Sequence, residues 1–424
     1  VKPVNTRAPV ERALLVGVGP KSRAALIRSS LEELKRLADT AGAVVAGETT
    51  QALARLHPGT LVGSGKVAEI AGMCAGLRAG TVIFDYELSP GQQKNLEKAL
   101  PQRKVVDRTR LILDIFAQRA RTSEGRLQVE LAQLSYMLPR LTGAWREFSQ
   151  QAGGIGTRGP GERKLEYERR HIQLRIVHLQ RDLERVRDAR RLRRERRAGV
   201  PVPQVALVGY TNVGKSTLLN QLTGRDATYA DDKLFATLDP TARRVRLPEG
   251  GWAVATDTVG FIQRLPTTLV AAFRSTLEEV EAADVLLIVS DASSPESESQ
   301  RASVAATLAE LDTEGIPRVE AFNKADRLSP EARVDLLRRH PDAVLLSAAT
   351  GEGVAAALGR VEEALSARWL KREIDVPAGR SAAAARLYES AQVLGRSVNG
   401  EATRYRLRVT AENWSRLQAL FAEC

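Results

Sequence analysis

The chain has 424 residues, 43% of them apolar, which is enough for about three domains with buried cores and excludes a disordered protein. Two cysteines, Cys74 and Cys424, cannot form a disulfide framework and suit a reducing compartment, so a cytoplasmic protein is expected. A net charge of +12 points to a polyanionic partner, provided that the charge is concentrated rather than spread over a solvated surface.

Residues 1–122 alternate strand-like and helix-like stretches: a strand at Ala13–Val18, a helix at Ala25–Ala38, and strands at Gly42–Ala46 and Thr81–Asp85. This pattern predicts a small α/β domain. No signal-peptide pattern precedes residue 20. The longest aliphatic run, Val285–Val289, falls far short of the roughly 20 residues a bilayer requires, so no transmembrane segment is expected. Within this domain Gly63-Ser64-Gly65-Lys66 looks like a phosphate loop, but it lacks the full spacing and the hydroxyl residue after the lysine. A glycine turn at the start of a helix accounts for it better.

From Ser123 long helices take over. Leu127, Leu131, Leu134, Leu138 and Leu141 step by four and three, as do Ile172, Ile176, Leu179, Leu183 and Val186, with Leu165 one heptad earlier. Both series predict coiled-coil seams, and hence an antiparallel hairpin over residues 123–198. Its tip, Gly153 to Gly161, contains Gly154, Gly156 and Gly159 in a literal G-x-G-x-x-G. A dinucleotide site is rejected, because a helix rather than a strand precedes the loop and Pro160 interrupts its exit. Residues 121–200 hold 19 Lys/Arg and 10 Asp/Glu, so the excess charge is concentrated here. Arg158, flanked by Gly156 and Gly159, is the expected RNA contact: the glycines let the backbone approach closely, and the guanidinium can meet a phosphate or a base face.

After the linker Gly199-Val200-Pro201-Val202-Pro203 comes the most informative stretch, Gly209-Tyr210-Thr211-Asn212-Val213-Gly214-Lys215-Ser216-Thr217. The apolar run Val205–Val208 before it reads as a buried strand, and Leu218, Leu219 and Leu222 after it begin an amphipathic helix, as a P-loop requires. Backbone N–H groups and the helix N-terminus would cradle phosphates, Lys215 would reach the β- and γ-phosphates, and Ser216 would ligate Mg²⁺. Four further signals follow in order. Thr237 in Phe235-Ala236-Thr237-Leu238-Asp239-Pro240 is preferred over Thr228 and Thr241 as the Mg²⁺ and γ-phosphate sensor. Asp257-Thr258-Val259-Gly260 would hold Mg²⁺ through water and sense the γ-phosphate with the Gly260 N–H. Asn323-Lys324-Ala325-Asp326 would select guanine, because adenine would leave a buried Asp326 without donors, and Ser347-Ala348 would meet guanine O6 through backbone N–H groups. Together these motifs predict GTP and GDP binding with Mg²⁺. Strands expected at Trp252–Thr256, Val285–Ser290, Val319–Asn323 and Val344–Ser347 make the domain a doubly wound sheet.

The P-loop with Tyr-Thr-Asn, the Phe-Ala-Thr-Leu-Asp-Pro segment, Asp-Thr-Val-Gly-Phe-Ile and the tip Gly-Gly-Ile-Gly-Thr-Arg-Gly-Pro-Gly-Glu resemble the HflX family of translational GTPases over residues 10 to about 370. One departure is Arg163-Lys164, where the family pattern leads one to expect Thr-Gln. The resemblance implies a protein that binds the large ribosomal subunit and its rRNA in the GTP form, splits stalled ribosomes and leaves on hydrolysis; a monomer is expected. It also implies that Asn212 could help bind K⁺ beside the phosphates; an asparagine bonded within its own loop is the alternative. Phe261 stands where many GTPases place a water-orienting glutamine, so hydrolysis should be slow until a ribosome assists. The expected fold is α/β and multidomain: an N-terminal α/β domain (1–122), a basic helical hairpin with a Gly-rich tip (123–198), a Ras-like doubly wound P-loop GTPase domain (199–370) and a small C-terminal α+β domain (371–424). Competing readings are a large-subunit assembly GTPase, an RNA-binding scaffold and an ATP-dependent RNA remodeller.

Overall fold

A computed structural model describes residues 11–21, 24–144, 160–197, 202–224, 234–235, 237–263, 274–377, 380–399 and 401–422. They fall into two compact units, one up to Glu184 and the other from Arg185 onward.

In the first unit, β1 (Arg12–Pro20), β2 (Val44–Leu53), β3 (Thr81–Phe84) and β4 (Lys104–Asp107) form a parallel sheet in the order β2-β1-β3-β4. Helices α1 (Ala24–Thr40), α2 (Ser64–Leu77), α3 (Pro90–Ala99) and α4 (Arg108–Arg119) connect and cover the strands. The near-continuous apolar runs of β1 and β3 are buried along their length, as parallel strands covered on both faces must be. Buried charges close the sheet's carboxyl end. Arg108 lies between Glu33 and Asp85, 2.7 Å from each, and Asp107 accepts from Leu88 N–H (3.0 Å) and the Tyr136 hydroxyl (2.8 Å).

Helix α5 (Ser123–Ala144) follows. Its buried face is Gln128, Val129, Ala132 and Tyr136, whereas Leu127, Leu131, Leu134, Leu138 and Leu141 are only half-buried. The expected leucine seam is therefore secondary, because packing on α3 and α4 selects a different stripe. Helix α6 (Pro160–Arg197) is 38 residues, about 57 Å at 1.5 Å per residue. Of its expected seam Leu179 and Leu183 are buried, whereas Ile172, Ile176 and Val186 are half-buried. Pro160 is its first residue, where a missing N–H costs nothing, so the proline opens the helix instead of interrupting the chain's exit. Arg175 of α6 forms a two-bonded ion pair with Glu130 of α5 (2.7 and 2.9 Å). The expected tip, with Gly156, Arg158 and Gly159, lies outside the described residues.

In the second unit, β5 (Gln204–Gly209), β6 (Thr241–Arg246), β7 (Trp252–Asp257), β8 (Val285–Asp291), β9 (Arg318–Asn323) and β10 (Val344–Leu345) form a six-stranded sheet. The order is β10-β9-β8-β5-β7-β6, parallel except for β6. From β5 the chain builds first toward β7 and then returns to β8 on the other side. The carboxyl end of β5 is thus a topological switch point, where open α/β sheets bind ligands. Beyond this sheet, β11 (Trp369–Pro377), β12 (Gln392–Asn399) and β13 (Ala402–Thr410) form an antiparallel sheet in the order β11-β13-β12, flanked by α-helices at Ser381–Ser390 and Ala411–Ala422. Arg408 of β13, 1% exposed, pairs with the buried Glu362 and donates to Gly250 O (3.2 Å) in the β6–β7 turn. Among the described residues no helix is long and apolar enough to cross a membrane.

Candidate functional site

Four strand ends converge at the carboxyl edge of the second sheet: Gly209 of β5, Asp257 of β7, Asp291 of β8 and Asn323 of β9. Beside them lies a cleft of about 800 Å³ lined by Thr211, Asn212 and Gly214 to Thr217 of the loop after β5 and by Thr237, Gly260, Asn323, Lys324, Asp326 and Ala348. The sequence motifs, spread from Thr211 to Ala348, thus meet in one place.

The loop between β5 and α7 (Lys215–Thr223) has two residues in the left-handed region, Asn212 (φ 61°) and Gly214 (φ 93°). These turn the backbone around the space in front of α7. At Gly214 a side chain is excluded twice, by the positive φ and because a Cβ would stand 2.4 Å from Asn323 Nδ2. Lys215 is buried, and among the described residues its ammonium donates to two backbone carbonyls at the start of its own loop, Gly209 O (3.1 Å) and Tyr210 O (2.8 Å). Burial pulls its pKa down to about 8, with Asp257 opposing. An ammonium held this way is desolvated and poised for an anion.

Ser216 Oγ donates to Asp257 Oδ2 (2.6 Å) and lies 2.8 Å from Thr237 Oγ1. Thr237 is therefore the threonine brought to the site, whereas Thr241 bonds Asp239 O (3.5 Å) and Thr228 lies outside the described residues. Burial pushes the Asp257 carboxyl above its ordinary range, against Lys215 and the two hydroxyls. Asp257 Oδ1 is buried with no hydrogen-bond partner. The protein oxygens gathered here are two hydroxyls and one carboxylate, a hard donor set. Such a set, from Ser216, Thr237 and Asp257, fits Mg²⁺.

After Asp257 the chain lies against the loop. Phe261 N–H donates to Gly209 O (3.1 Å), Thr211 N–H donates to Phe261 O (2.8 Å), and Gln263 N–H donates to the buried Tyr210 hydroxyl (2.7 Å). Phe261 itself is buried. A Cβ on Gly260 would stand 2.7 Å from Thr211 Cγ2 and 3.0 Å from Lys215 Nζ, so this close approach needs glycine. Nothing in the pattern Asp257-Thr258-Val259-Gly260 announces the Tyr210 and Gln263 bond.

On the other side of the cleft Asn323 is buried and bonded through both amide atoms: Nδ2 donates to Val213 O (2.8 Å) and Oδ1 accepts from Ala348 N–H (2.8 Å). The Ala348 N–H, expected to meet guanine O6, is thus committed to Asn323. Asp326 differs from expectation too: it is exposed, not buried, and its pKa is lowered mainly by a hydrogen bond from Ser347. Discrimination by an unpaired buried carboxylate therefore requires the base itself to cover Asp326.

Three family models match, described as the GTP-binding GTPase N-terminal region (residues 28–117), the GTP-binding GTPase middle region (119–197) and the 50S ribosome-binding GTPase (204–324). Similar proteins include the GTPase HflX of Caldanaerobacter subterraneus subsp. tengcongensis, 52% identical over 75% of this chain and 73% of the relative. That of Magnetococcus marinus is 44% identical over 92% and 90%. The GTPase HflX of Escherichia coli is 45% identical over 85% of this chain and 84% of its own.

Proposed function

The chain belongs to the HflX family of GTPases, and from that premise we propose that it uses GTP to bind the large ribosomal subunit, through rRNA, and to dissociate stalled ribosomes. The observation that carries this reading is the placement of charge: residues 121–200 hold 19 basic and 10 acidic residues beside a GTPase domain, as a protein recognising folded RNA requires. A ribosomal partner implies a cytoplasmic location.

Within the site, Lys215 holds the β- and γ-phosphates, and the loop N–H groups from Asn212 to Thr217 surround them. Ser216, Thr237 and, through water, Asp257 would hold Mg²⁺, which would supply positive charge to offset that of the phosphates. The Gly260 N–H reports the γ-phosphate, and Asp326 accepts from the guanine N1–H and 2-amino groups. Phe261 cannot orient water, because its ring is buried and its backbone N–H and C=O are already bonded to the loop. Hydrolysis is therefore slow in the isolated protein and is raised when a ribosome repositions this segment or supplies a group in trans. Asn212 is a candidate to help hold K⁺, and equal rates in KCl and NaCl would retire that role.

The decisive experiment is co-sedimentation with ribosomal subunits in GDP and in a non-hydrolysable GTP analogue, alongside wild-type and Arg158→Ala protein. Binding to the large subunit in the analogue only, weakened by the substitution, is expected. Equal binding in both nucleotides would sink the proposal, and loss of the protein causing immature particles instead of stalled ribosomes would favour an assembly role.

A further inference from the structure

Asp291 belongs to none of the motifs that define the site and does not line the cleft, yet it bonds Lys324, which does. It ends β8, the strand between the phosphate-loop strand β5 and the guanine strand β9, and its register partner on β9 is Asn323. Its Oδ1 is fixed from its own side by Ser293, accepting from the N–H (2.9 Å) and the hydroxyl (2.7 Å). Its Oδ2 accepts from Lys324 Nζ at 2.7 Å, and the same ammonium donates to Asn212 O at 2.9 Å. Lys324 is held with φ 65°, so its side chain leaves the guanine strand and crosses to the phosphate loop.

From this geometry we infer that Asp291 is a positioning residue for nucleotide retention: it pins Lys324 across the cleft, so that the lysine's aliphatic stem forms a fixed floor for the purine and sugar. Two features support the assignment. A lysine side chain has four rotatable bonds, and the freedom lost in restraining it is offset by these bonds before the ligand arrives. The ammonium is also neutralised by Asp291, so the cleft presents the stem's carbons to the base without a second unpaired cation competing with Lys215 for phosphate. The bond to Asn212 O carries the same restraint into the phosphate loop, where Asn212 adopts φ 61°. This inference rests on the reading of Asn323 to Asp326 as the guanine site.

Dissociation of GDP, followed with a fluorescent GDP derivative, tests it in the full-length protein through a double-mutant cycle. Asp291→Asn keeps the side chain's shape and its acceptor for Ser293 but removes the charge. It should speed GDP release about tenfold, the size expected for a hydrogen bond to a charged group in a partly exposed site. In a Lys324→Met background the same substitution should change release by less than about twofold, because its effect acts through Lys324. Asp291→Glu, which keeps the charge, should recover part of the loss and serves as the second variant if the first folds poorly. Equal acceleration in both backgrounds, or none in either, would overturn the inference. Asp326→Asn is measured beside these: if it leaves guanine preference unchanged, the guanine-site reading fails, whereas if it weakens that preference and Asp291→Asn does nothing, only the positioning role fails.

Discussion

Two helices in this protein follow a glycine and carry a lysine in their first turn, and of these two lysines Lys215 lines the cleft whereas Lys66 does not. Helix α7 begins behind Gly214 at φ 93°, and Lys215 at its start is buried among carbonyls of its own loop. Helix α2 begins behind Gly63 at φ −67°, an ordinary extended turn, and Lys66 forms an ion pair with Glu69 one turn on (2.7 Å). In the first case the loop wraps a space and the lysine lacks a carboxylate in hydrogen-bond contact. In the second the lysine's charge is already used. What makes a phosphate loop is therefore backbone of left-handed conformation around an unspent cation, which the tetrapeptide alone does not specify.

The comparison breaks most sharply at Lys215. Lys215→Ala should abolish GTP turnover, since no other cation in the described cleft occupies its place; phosphate release at a rate comparable to wild type would refute the assignment. Gly214→Ala comes next. The left-handed conformation costs a side chain roughly 1–2 kcal/mol, and contact with Asn323 adds to it, so GTP affinity should fall about tenfold or more in equilibrium titration.

A subtler test uses the desolvation of Lys215. Its pKa of about 8 in the free protein must rise when phosphate binds, so binding takes up a proton above that value. Affinity for GTP should be full below about pH 8 and fall as pH rises beyond it. Calorimetry at pH 8.5 in two buffers of different ionisation enthalpy should report net proton uptake, and none would mean that the ammonium is already charged. The sign for folding is opposite. Between about 8 and the ordinary 10.5 the unfolded chain holds more protons than the folded one, so stability rises with pH through that window.

The sequence made the phosphate and guanine motifs legible because their chemistry needs particular residue types side by side, and the strands because parallel strands are apolar runs. Asp291 was hidden, since its partner Lys324 lies 33 residues away and only the β8–β9 register joins them. The buried face of α5 was hidden as well: leucine periodicity marks a seam, but the neighbouring helices decide which stripe is covered. Arg408 is the clearest case. Alternation in Arg404-Tyr405-Arg406-Leu407-Arg408 places three arginines on one strand face, which reads as solvent, yet Arg408 is buried on Glu362.

The smallest expected effect belongs to the other lysine loop. Gly65 is exposed, adopts no positive φ, and a Cβ there would meet nothing within 4 Å. Gly65→Ala should therefore do the reverse of Gly214→Ala. Alanine restricts the unfolded chain and favours the helix, so thermal unfolding should show a gain of about 0.5–1 kcal/mol, or less because the site lies in the first turn. GTP turnover should not change, and the same holds for Lys66→Ala, which loses one bond to Glu69 and no ligand contact. A drop in turnover with either substitution would mean that the α2 loop has a nucleotide-linked role its geometry conceals, and the distinction drawn from backbone conformation would fail with it.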